Sequence, residues 1–317
     1  MEERLMRILV TGGSGFLGRH IIEAAQEAGH QVFYPRSAEF NLMTMEGVDK
    51  YMAGIRQRYG GIDVIIHGAA YYGGIGIIQT EPATVFNRNC QMGLNVFEIA
   101  RKHHVKKVMP IGSACSYPGH LEGDLKEEQF WEGKLHDSVE AYGFSKKLLF
   151  VAQRAYYKQF GIESNHLVLT NLYGPHDVFT EYRSHVLSAL IKKFTDAKEK
   201  VTLWGDGSPI REFLYVKDAA QAIVRAVPLP HDPEPVNIGT GVGTSIYELA
   251  ETIADFTEFK GIIEWDRSKP NGMKRKVLSV TKMKDKLGWN PSYSLRDGLK
   301  ETINWYLPNK DQADKRE

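Results

Sequence analysis

Short apolar runs alternate with amphipathic segments over the first two thirds of the 317-residue chain. The runs are MRILVT, HQVFYP, IDVIIHGAA, KKVMPIGS and ESNHLVLT. Continuous apolar strands that are separated by helices are typical of a parallel sheet covered by helices on both faces. The alternation therefore predicts a doubly wound α/β fold.

The rhythm changes after about residue 171, where short strands around VTLWGDG and REFLYV alternate with helical segments such as SHVLSALIKKF. Neither a repeat nor a low-complexity linker separates this part from the first, so the two are expected to pack directly together. We expect a first domain over residues 1–170, to which later segments return, and a smaller C-terminal α/β substrate lobe over residues 171–317. A substrate cleft between them would follow.

Composition excludes several classes of partner. Lys and Arg (40) nearly balance Asp and Glu (39), so no basic field favours nucleic acid or an anionic membrane. The first apolar run is too short for a signal peptide core, and no later run reaches the roughly 18 apolar residues of a membrane helix. Two cysteines, Cys90 and Cys115, are too few for a disulfide framework. We expect a cytoplasmic protein with free thiols and no bound metal.

A glycine-rich loop, TGGSGFLG, lies between the first predicted strand and an amphipathic helix. Its glycines, Gly12, Gly15 and Gly18, would allow a tight turn and bring backbone and the helix N-terminus close to a pyrophosphate. The loop follows a strand and opens a helix within a βαβ unit, which is the context of a Rossmann-type dinucleotide site. The G-x-x-G-x-x-G spacing points to the short-chain dehydrogenase/reductase type.

The residues after the second predicted strand bear on the choice between NAD and NADP. An NAD site carries an acidic residue there for the ribose 2′-hydroxyl, whereas this chain reads VFYPRSAEF, with Arg36 in that region. An arginine suits a 2′-phosphate, so the predicted cofactor is NADP(H). Glu39 lies close by and leaves NAD open, and a solvated surface charge is the alternative interpretation of Arg36.

A proton-transfer pair, Tyr142 and Lys146, stands in AYGFSKK at the start of a predicted helix that runs to about residue 159. Residues four apart lie on one helical face. The ammonium is expected to favour the phenolate and so to lower the tyrosine pKa towards working pH. Ser113, at the exit of a predicted strand, would hydrogen-bond the reacting oxygen while Tyr142 moves the proton and Lys146 holds the nicotinamide ribose. Such a set performs hydride transfer at a secondary alcohol or ketone.

The chain resembles the extended short-chain dehydrogenase/reductases that act on nucleotide sugars and, within them, the GDP-L-fucose synthase family. The motifs that carry the resemblance are TGGSGFLG, AAYYGGI, GSACSYP, AYGFSKK, TNLYGPHDVF, SHVLSALIKKF, WGDGSPIREFLYVKDAA, NIGTGVG and KPNGMKRKVLSV. It implies a 3,5-epimerase/4-reductase of a GDP-linked 4-keto-6-deoxy sugar. It also implies a homodimer, because the helices expected over about residues 84–103 and 140–159 resemble the pair that builds a four-helix interface in this superfamily.

The resemblance assigns roles to single residues. It makes Ser113, Tyr142 and Lys146 the reductase triad, and Cys115 and His185 the acid and base that invert C3 and C5 of the keto sugar. Inversion removes a proton alpha to the ketone from one face and returns one to the other, and a thiol and an imidazole both titrate near neutral pH. Further implied cofactor contacts are Phe16, Leu17, Asn171, Leu172 and His185, and implied diphosphate or base contacts are Lys193, Trp204 and Arg211.

Two residues depart from the family pattern: Ser279 stands where Asp is common, and Leu169 where Pro is usual. The first leaves the hexose and the base open, with a colitose or heptose analogue as the alternatives to fucose. Dehydratases of the superfamily carry a Thr-Asp-Glu-like acid pair at the strand exit, where this chain has Ser-Ala-Cys. That difference argues against 4,6-dehydration.

Two other functions stay open at this stage. One is an enzyme of the same fold that only epimerises or only reduces, using NAD(P) on a different sugar. The other is a sugar-nucleotide-binding or NADP-sensing protein without catalysis. The set of Ser113, Tyr142 and Lys146 speaks against the second, because a binding protein needs neither the phenol nor its lysine.

Overall fold

The computed structural model describes residues 5–180, 183–269 and 271–315. The strands are β1 (Arg7–Thr11), β2 (Gln31–Phe33), β3 (Val64–His67), β4 (Lys107–Ser113), β5 (Asp124–Leu125), β6 (Glu163–Ser164), β7 (Leu167–Leu169), β8 (Asn171–Tyr173), β9 (Lys200–Trp204), β10 (Ile210–Tyr215), β11 (Val236–Ile238), β12 (Gly243–Ser245), β13 (Ile262–Asp266) and β14 (Arg275–Leu278). The α-helices are α1 (Phe16–Glu27), α2 (Val48–Tyr59), α3 (Ile75–Thr80), α4 (Pro82–Lys102), α5 (Glu140–Phe160), α6 (Val186–Asp196), α7 (Val216–Arg225), α8 (Ile246–Phe256), α9 (Thr281–Leu287) and α10 (Leu295–Ala313). Over the described ranges, no helix combines the length and the apolar character needed to cross a membrane.

The larger sheet has the strand order β2-β1-β3-β4-β7-β11, and each neighbouring pair runs parallel. The chain goes from β1 through α1 to β2 on one side of β1, and then through α2 to β3 on the other side. The order therefore reverses at β1, and a reversal of this kind opens a crevice at the carboxyl ends of the strands. The prediction of a doubly wound parallel sheet is confirmed.

Helices cover both faces of the larger sheet. Ile8 and Val10 of β1 belong to a buried cluster with residues of α1 and α7. Leu9, between them, belongs to a second cluster with residues of α2 and α4. Because successive strand residues point to opposite faces, a strand between two helical layers must be apolar throughout. This explains the continuous apolar runs of the sequence.

The second sheet has the order β12-β10-β14-β5, with β8 also paired to β10, and β13 pairs separately with β9. Two elements cross between the sheets. Residues 124–125 form β5 of the second sheet, although they precede several strands of the first. Residues 236–238 form β11 of the first sheet, although they follow several strands of the second. The division of the chain at residue 170 stays a prediction.

A buried carboxylate ties this second sheet to the loop that follows β11. Glu212 of β10 is fully buried. Its side chain accepts the N–H groups of Gly241 and Leu278, each at 2.8 Å, and also that of Thr240. Burial raises the pKa of Glu212, while the donated N–H groups act in the opposite direction. The carboxylate thus holds the 239–241 loop and β14 to β10.

The run expected as one strand over residues 163–170 is split into β6 and β7. The two pieces pair with the two ends of β4, and Asn165 and His166 between them lie opposite the part of β4 that contains Pro110. Proline has no N–H to donate to a strand ladder. Asn165 instead donates its amide to the carbonyl oxygen of Pro230 at 2.8 Å.

His166 is fully buried beside this interruption. Its ring packs edge-on against Phe130 and Phe150, and neither ring nitrogen has a hydrogen-bond partner among the described residues. Burial, with a smaller contribution from the charge of Lys146, lowers the pKa of His166 to about 3. The imidazole therefore stays neutral in the folded protein at pH values where it would be charged in the unfolded chain.

We expect His166→Leu to make the protein more resistant to acid. Between about pH 6.5 and pH 3 the unfolded chain binds a proton at His166 and the folded protein does not. Stability is therefore lost as the pH falls through this window, by about 3 kcal/mol between pH 7 and pH 4. Leucine removes this loss. Urea unfolding of both proteins at the two pH values measures it, and an equal pH dependence would contradict the prediction.

Candidate active site

The glycine loop lies at the carboxyl end of β1. Gly12 has φ +73°, and its carbonyl oxygen accepts the N–H of Gly15 at 2.9 Å. A Cβ on Gly18 would lie 2.1 Å from the carbonyl oxygen of Gly12, so α1 packs directly on the loop. In the described structure no side chain caps the amino end of α1, which begins at Phe16. The first N–H groups of the helix thus face the crevice, and the loop fits a dinucleotide pyrophosphate.

Thr11 and His67 join the ends of the two strands that flank the crevice. The Thr11 hydroxyl and His67 Nδ1 are 2.9 Å apart, and the same hydroxyl accepts the N–H of Ala69 at 3.3 Å. Burial, with a smaller contribution from Lys146, lowers the pKa of His67 to about 3, so the imidazole is neutral. This contact fixes the 67–69 segment beside Gly12, where a Cβ would lie 2.8 Å from the Ala69 backbone.

Ser113, Tyr142 and Lys146 come together at the carboxyl end of β4. The Ser113 hydroxyl lies near the Tyr142 phenol and accepts the N–H of Cys115 at 3.2 Å. Tyr142 and Lys146 lie on successive turns of α5, and Lys146 Nζ is 5.7 Å from the centre of the Tyr142 ring. The arrangement has the parts that the sequence predicts for a reductase, and the roles of the three residues stay a prediction.

Burial governs the protonation of this set. It raises the pKa of Tyr142 well above the ordinary value, the electrostatic interaction with Cys115 adds to the rise, and the neighbouring Ser113 hydroxyl acts to lower it. Burial also lowers the pKa of Lys146 to about 8. The expectation that the lysine lowers the tyrosine pKa is wrong here, because taking both groups out of water outweighs their mutual attraction. Tyr142 is therefore a protonated phenol, able to donate.

Cys115 lies in a 3-10 turn, Ala114–Ser116, directly after Ser113. Lys276 of β14 places its Nζ 3.3 Å from the Cys115 sulfur. Burial lowers the pKa of Arg211 on β10, and the charge of Cys115 acts against that fall. Two cationic side chains, Lys276 and Arg211, therefore lie near the sulfur.

His185 lies immediately before α6 and completes a cluster with Ser113, Cys115, Tyr142 and Lys146, to which it is linked by the ring of Tyr72, 4.9 Å away. Burial lowers its pKa, and the nearby carboxylate of Asp177 acts in the opposite direction. Asp177 is buried, accepts the N–H of Val178 at 2.8 Å and hydrogen-bonds the hydroxyl of Ser188. Since Ser188 follows His185 by three residues, this bond anchors the first turn of α6 at the site. The neutral imidazole is able to accept a proton.

The other predicted cofactor residues lie around the crevice. Asn171 donates its amide to the main-chain oxygen of Glu212 at 2.8 Å, and Leu172 packs against the core of the larger sheet. Leu17 packs against the same core, while the ring of Phe16 is 6.3 Å from that of His20. Each of these four residues therefore makes a structural contact within the protein, apart from any contact with a cofactor.

The residues expected to hold nucleotide groups are not all gathered in the cluster. Arg36 is exposed after β2, and within the described part of the chain no carboxylate pairs with it. Trp204, at the end of β9, is 65% exposed, and Lys269 Nζ lies 5.8 Å from its ring centre. Among the described residues no hydrogen bond or ion pair joins Trp204 or Lys193 of α6 to Cys115 or Tyr142. Arg211 alone of the predicted nucleotide contacts is electrostatically coupled to the thiol.

The two departures from the family pattern lie near the site and are held by main-chain bonds. Leu169 is the last residue of β7 and is the register partner of Ser113. Ser279 follows β14, donates its N–H to the Leu125 oxygen at 2.9 Å and accepts from the Asn237 amide at 3.1 Å.

The sequence interpretation missed three residues of the cluster: Tyr72, Asp177 and Lys276. Tyr72 follows β3 and Asp177 follows β8 in motifs that the interpretation used only as marks of the family, and a position beyond a strand end was the available signal. Lys276 also lies in such a motif, KPNGMKRKVLSV, but its contact with Cys115 gives no local signal, because the two residues are 161 apart in the chain. In residues 5–180, 183–269 and 271–315, no group of three or more His, Cys, Asp or Glu could hold a metal ion.

The sequence profile of the NAD dependent epimerase/dehydratase family matches residues 8–239, more than half of the chain. The chain belongs to this family. GDP-L-fucose synthase 1 of Arabidopsis thaliana is 37% identical to it over 314 residues, which are 98% of this chain and 95% of that protein. GDP-L-fucose synthase of Escherichia coli (strain K12) is 34% identical over 320 residues, covering 96% and 98% of the two chains.

Solved structures agree with this relationship. A GDP-L-fucose synthetase from Naegleria fowleri, solved with NADP bound, matches with a TM-score of 0.85 at 27% identity, over 98% of this chain and 96% of that one. The resemblance that the motifs indicate is thus confirmed over nearly the whole chain.

Proposed function

We propose that this protein is an NADPH-dependent epimerase/reductase that converts a GDP-4-keto-6-deoxy-hexose into GDP-L-fucose or a close analogue. The observation that carries the proposal is the pairing, at one strand exit, of the Tyr142 phenol beside Ser113 with the Cys115 thiol, whose sulfur is 3.3 Å from Lys276. An enzyme that only reduces needs the phenol but not the thiol. The full-length similarity to GDP-L-fucose synthases supports the same substrate class.

Epimerisation would come first. Removal of a proton from C3 or C5 places negative charge on the C4 oxygen, and the Ser113 hydroxyl at the end of β4 would hydrogen-bond that oxygen. Cys115 and His185 belong to different elements, the turn after β4 and the residue before α6. Groups that approach a sugar ring from two elements can remove a proton on one face and return it on the other.

Reduction would follow at C4 of the inverted sugar. When bound, NADPH supplies the hydride. Tyr142, a protonated phenol in this structure, gives its proton to the C4 oxygen. Lys146 lies one turn away, where it would hold the cofactor ribose and balance the negative charge left on the Tyr142 oxygen. The glycine loop before α1 would hold the pyrophosphate, since its backbone and the helix N-terminus are open to the crevice.

Nucleotide recognition would come from α6, β9 and β10. Arg211 offers a two-pronged donor to a diphosphate close to Cys115, and Lys193 offers a point charge. Trp204 is exposed enough to stack on a base. Binding of the GDP group there would place the sugar at the cluster of Cys115, Tyr142 and His185. A cytoplasmic location stays a prediction.

The direct test is incubation of the purified protein with GDP-4-keto-6-deoxy-mannose and NADPH, followed by identification of the product by NMR. We expect a GDP sugar inverted at C3 and C5 and reduced at C4. A product reduced without inversion would indicate a single-function 4-reductase. Absence of any turnover with intact binding of both ligands would contradict the proposal.

We expect Arg36→Ala to weaken NADPH binding about tenfold, the size of one charge-assisted contact to phosphate at an exposed position. NADH binding should be unchanged, because NADH lacks the 2′-phosphate. Fluorescence titration of both cofactors with both proteins measures the four dissociation constants. Equal wild-type affinities for NADPH and NADH, or unchanged NADPH affinity in the variant, would remove the argument.

We also propose that the protein is a homodimer through α4 and α5. These helices agree with the segments predicted over about 84–103 and 140–159. Their outer face exposes large apolar side chains, among them Phe86 of α4 and Phe144 and Val151 of α5. Together with Trp131 they line a groove of about 590 Å³. Two copies of this face would cover each other.

Wild-type protein is therefore expected to have twice the chain mass of 35.8 kDa in light scattering at micromolar concentration. Val151→Glu should be a monomer, because a carboxylate would be buried without a partner at the interface. Val242→Glu is a matched control, since Val242 is 63% exposed, against 52% for Val151, and lies outside α4 and α5. A monomeric wild type, or the same solution mass for the Val151→Glu and Val242→Glu variants, would contradict the proposed dimer.

A further inference from the structure

Three rings form a stack at the predicted sugar site, and the middle ring belongs to a residue without an assigned role. The ring centroids of Tyr72 and Tyr142 are 4.3 Å apart with an interplanar angle of 25°. The centroids of Tyr72 and His185 are 4.9 Å apart with an angle of 32°. Tyr72 thus contacts the group expected to serve the C4 oxygen and one of the two expected to move the C3 and C5 protons.

The backbone before Tyr72 is clamped by a buried amide. Asn89 of α4 accepts the N–H of Tyr71 at 2.8 Å and donates to the Tyr71 oxygen at 2.9 Å. The Asn89 amide also donates to the main-chain oxygen of Val85 at 2.8 Å, so its orientation is fixed by its own helix. The loop after β3 therefore has little freedom where Tyr72 leaves it.

The loop after Tyr72 is docked on the segment that leads into His185. Gly74 donates its N–H to the main-chain oxygen of Arg183 at 2.7 Å. A Cβ at Gly74 would lie 2.3 Å from the Ser184 oxygen, so only glycine permits this approach. The two segments that carry Tyr72 and His185 are thus joined by main-chain contact within two residues of each ring.

The charge state of Tyr72 restricts what it can do. Burial raises its pKa well above the ordinary value, and electrostatic interactions with the neighbouring Cys115, Tyr142 and Asp177 act in the same direction. A phenol that stays protonated cannot act as a base at neutral pH. What it contributes to the site is a rigid ring that carries a neutral hydroxyl. The stacked position between two functional rings makes the ring the feature to test.

We propose that Tyr72 is a positioning residue of the sugar site, whose ring sets the spacing between the Tyr142 phenol and the His185 imidazole. With that spacing, one bound sugar meets the reducing and the epimerising groups without turning. The inference rests on the proposed function. Small displacements of reacting groups, of about 1 Å, reduce rates by about a hundredfold, so loss of the spacing ring is costly even though Tyr72 does no chemistry.

Two variants separate ring from hydroxyl. Tyr72→Phe keeps the ring and should hold both solvent exchange at C3 and C5 and NADPH oxidation within about twofold of wild type. Tyr72→Leu removes the ring and should lower kcat for both by about tenfold to a hundredfold. The dissociation constant for NADPH should stay the same in both, because the glycine loop is untouched, and matching melting temperatures would show that both fold.

A second readout needs no substrate. Burial lowers the pKa of His185, and the Tyr72 ring covers one face of that imidazole. NMR titration of the ligand-free protein measures the pKa of His185, with its signal assigned by comparison with His185→Asn. We expect this pKa to rise towards 6.5 in Tyr72→Leu and to be unchanged in Tyr72→Phe. A purely structural substitution elsewhere would not move it.

The outcomes distinguish this inference from the proposed function. Wild-type rates in Tyr72→Leu, or an unchanged His185 titration there, would overturn the positioning role. Equal loss of activity in Tyr72→Phe and Tyr72→Leu would overturn it too, because the hydroxyl would then be the essential part. A wild type that fails to turn over the GDP sugar would contradict the proposed function, while the titration would still decide whether the ring stack exists.

Discussion

Replacing Cys115 with serine is expected to lower the exchange of C3 and C5 hydrogens with deuterated solvent by about a hundredfold to ten-thousandfold. Serine keeps the approximate size of the side chain, but its hydroxyl does not titrate near neutral pH. The contact between Lys276 and the sulfur is also lost. NADPH and the GDP sugar should still bind, since the glycine loop and Arg211 are unaltered. NMR of the sugar recovered from deuterated buffer, with NADPH left out, measures exchange without reduction.

Two controls make this result specific. His185→Asn should resemble Cys115→Ser, because inversion needs both an acid and a base. Binding of NADPH and of the GDP sugar must be measured for each variant, since a damaged site would mimic the loss of a proton carrier. Near-wild-type deuterium incorporation in Cys115→Ser would defeat the assignment and leave the thiol as a packing residue beside Ser113.

Replacing Tyr142 with phenylalanine should have the reverse effect. NADPH oxidation should fall by about a hundredfold to ten-thousandfold, because the proton for the C4 oxygen is gone, while exchange at C3 and C5 persists. Phenylalanine keeps the ring that stacks on Tyr72 at a centroid distance of 4.3 Å, so the geometry of the site should survive. The absorbance of NADPH follows reduction, and the same NMR measurement follows exchange.

The contrast between these two variants is the sharper test. If Tyr142→Phe reduces the keto sugar at the wild-type rate, another group supplies the proton and the reductase assignment fails. If Tyr142→Phe and Cys115→Ser each lose both activities to the same extent, epimerisation and reduction do not use separate groups. Only opposite losses in the two variants agree with the proposed division of labour.

Local spacing accounts for much of what the sequence predicts correctly. Tyr142 and Lys146 share a helical face because they are four residues apart, and Ser113 and Cys115 share a strand exit because they are two apart. The glycine loop lies between β1 and α1 as its pattern requires. In each case the neighbours in space are also neighbours in the chain.

Contacts between distant segments could not be predicted in this way. The Lys276 contact with Cys115 depends on the second sheet reaching the end of β4, and no periodicity encodes that approach. The pKa of Tyr142 moves opposite to expectation because it depends on burial, which the pair spacing does not reveal. Pro110 could have indicated the interruption between β6 and β7, but only once the two strands are known to be neighbours.

The carboxylate of Glu212 bears on how the protein opens. If β14 or the 239–241 loop separated from β10, the Glu212 carboxylate would stay in the interior but lose hydrogen bonds from Leu278 or Gly241. An uncompensated buried charge costs several kcal/mol, so piecemeal fraying of either segment is strongly disfavoured. We therefore expect the amide hydrogens of β10, β14 and this loop to exchange with solvent together rather than segment by segment. Because β14 also carries Lys276, local opening of the structure should leave Lys276 next to the Cys115 thiol.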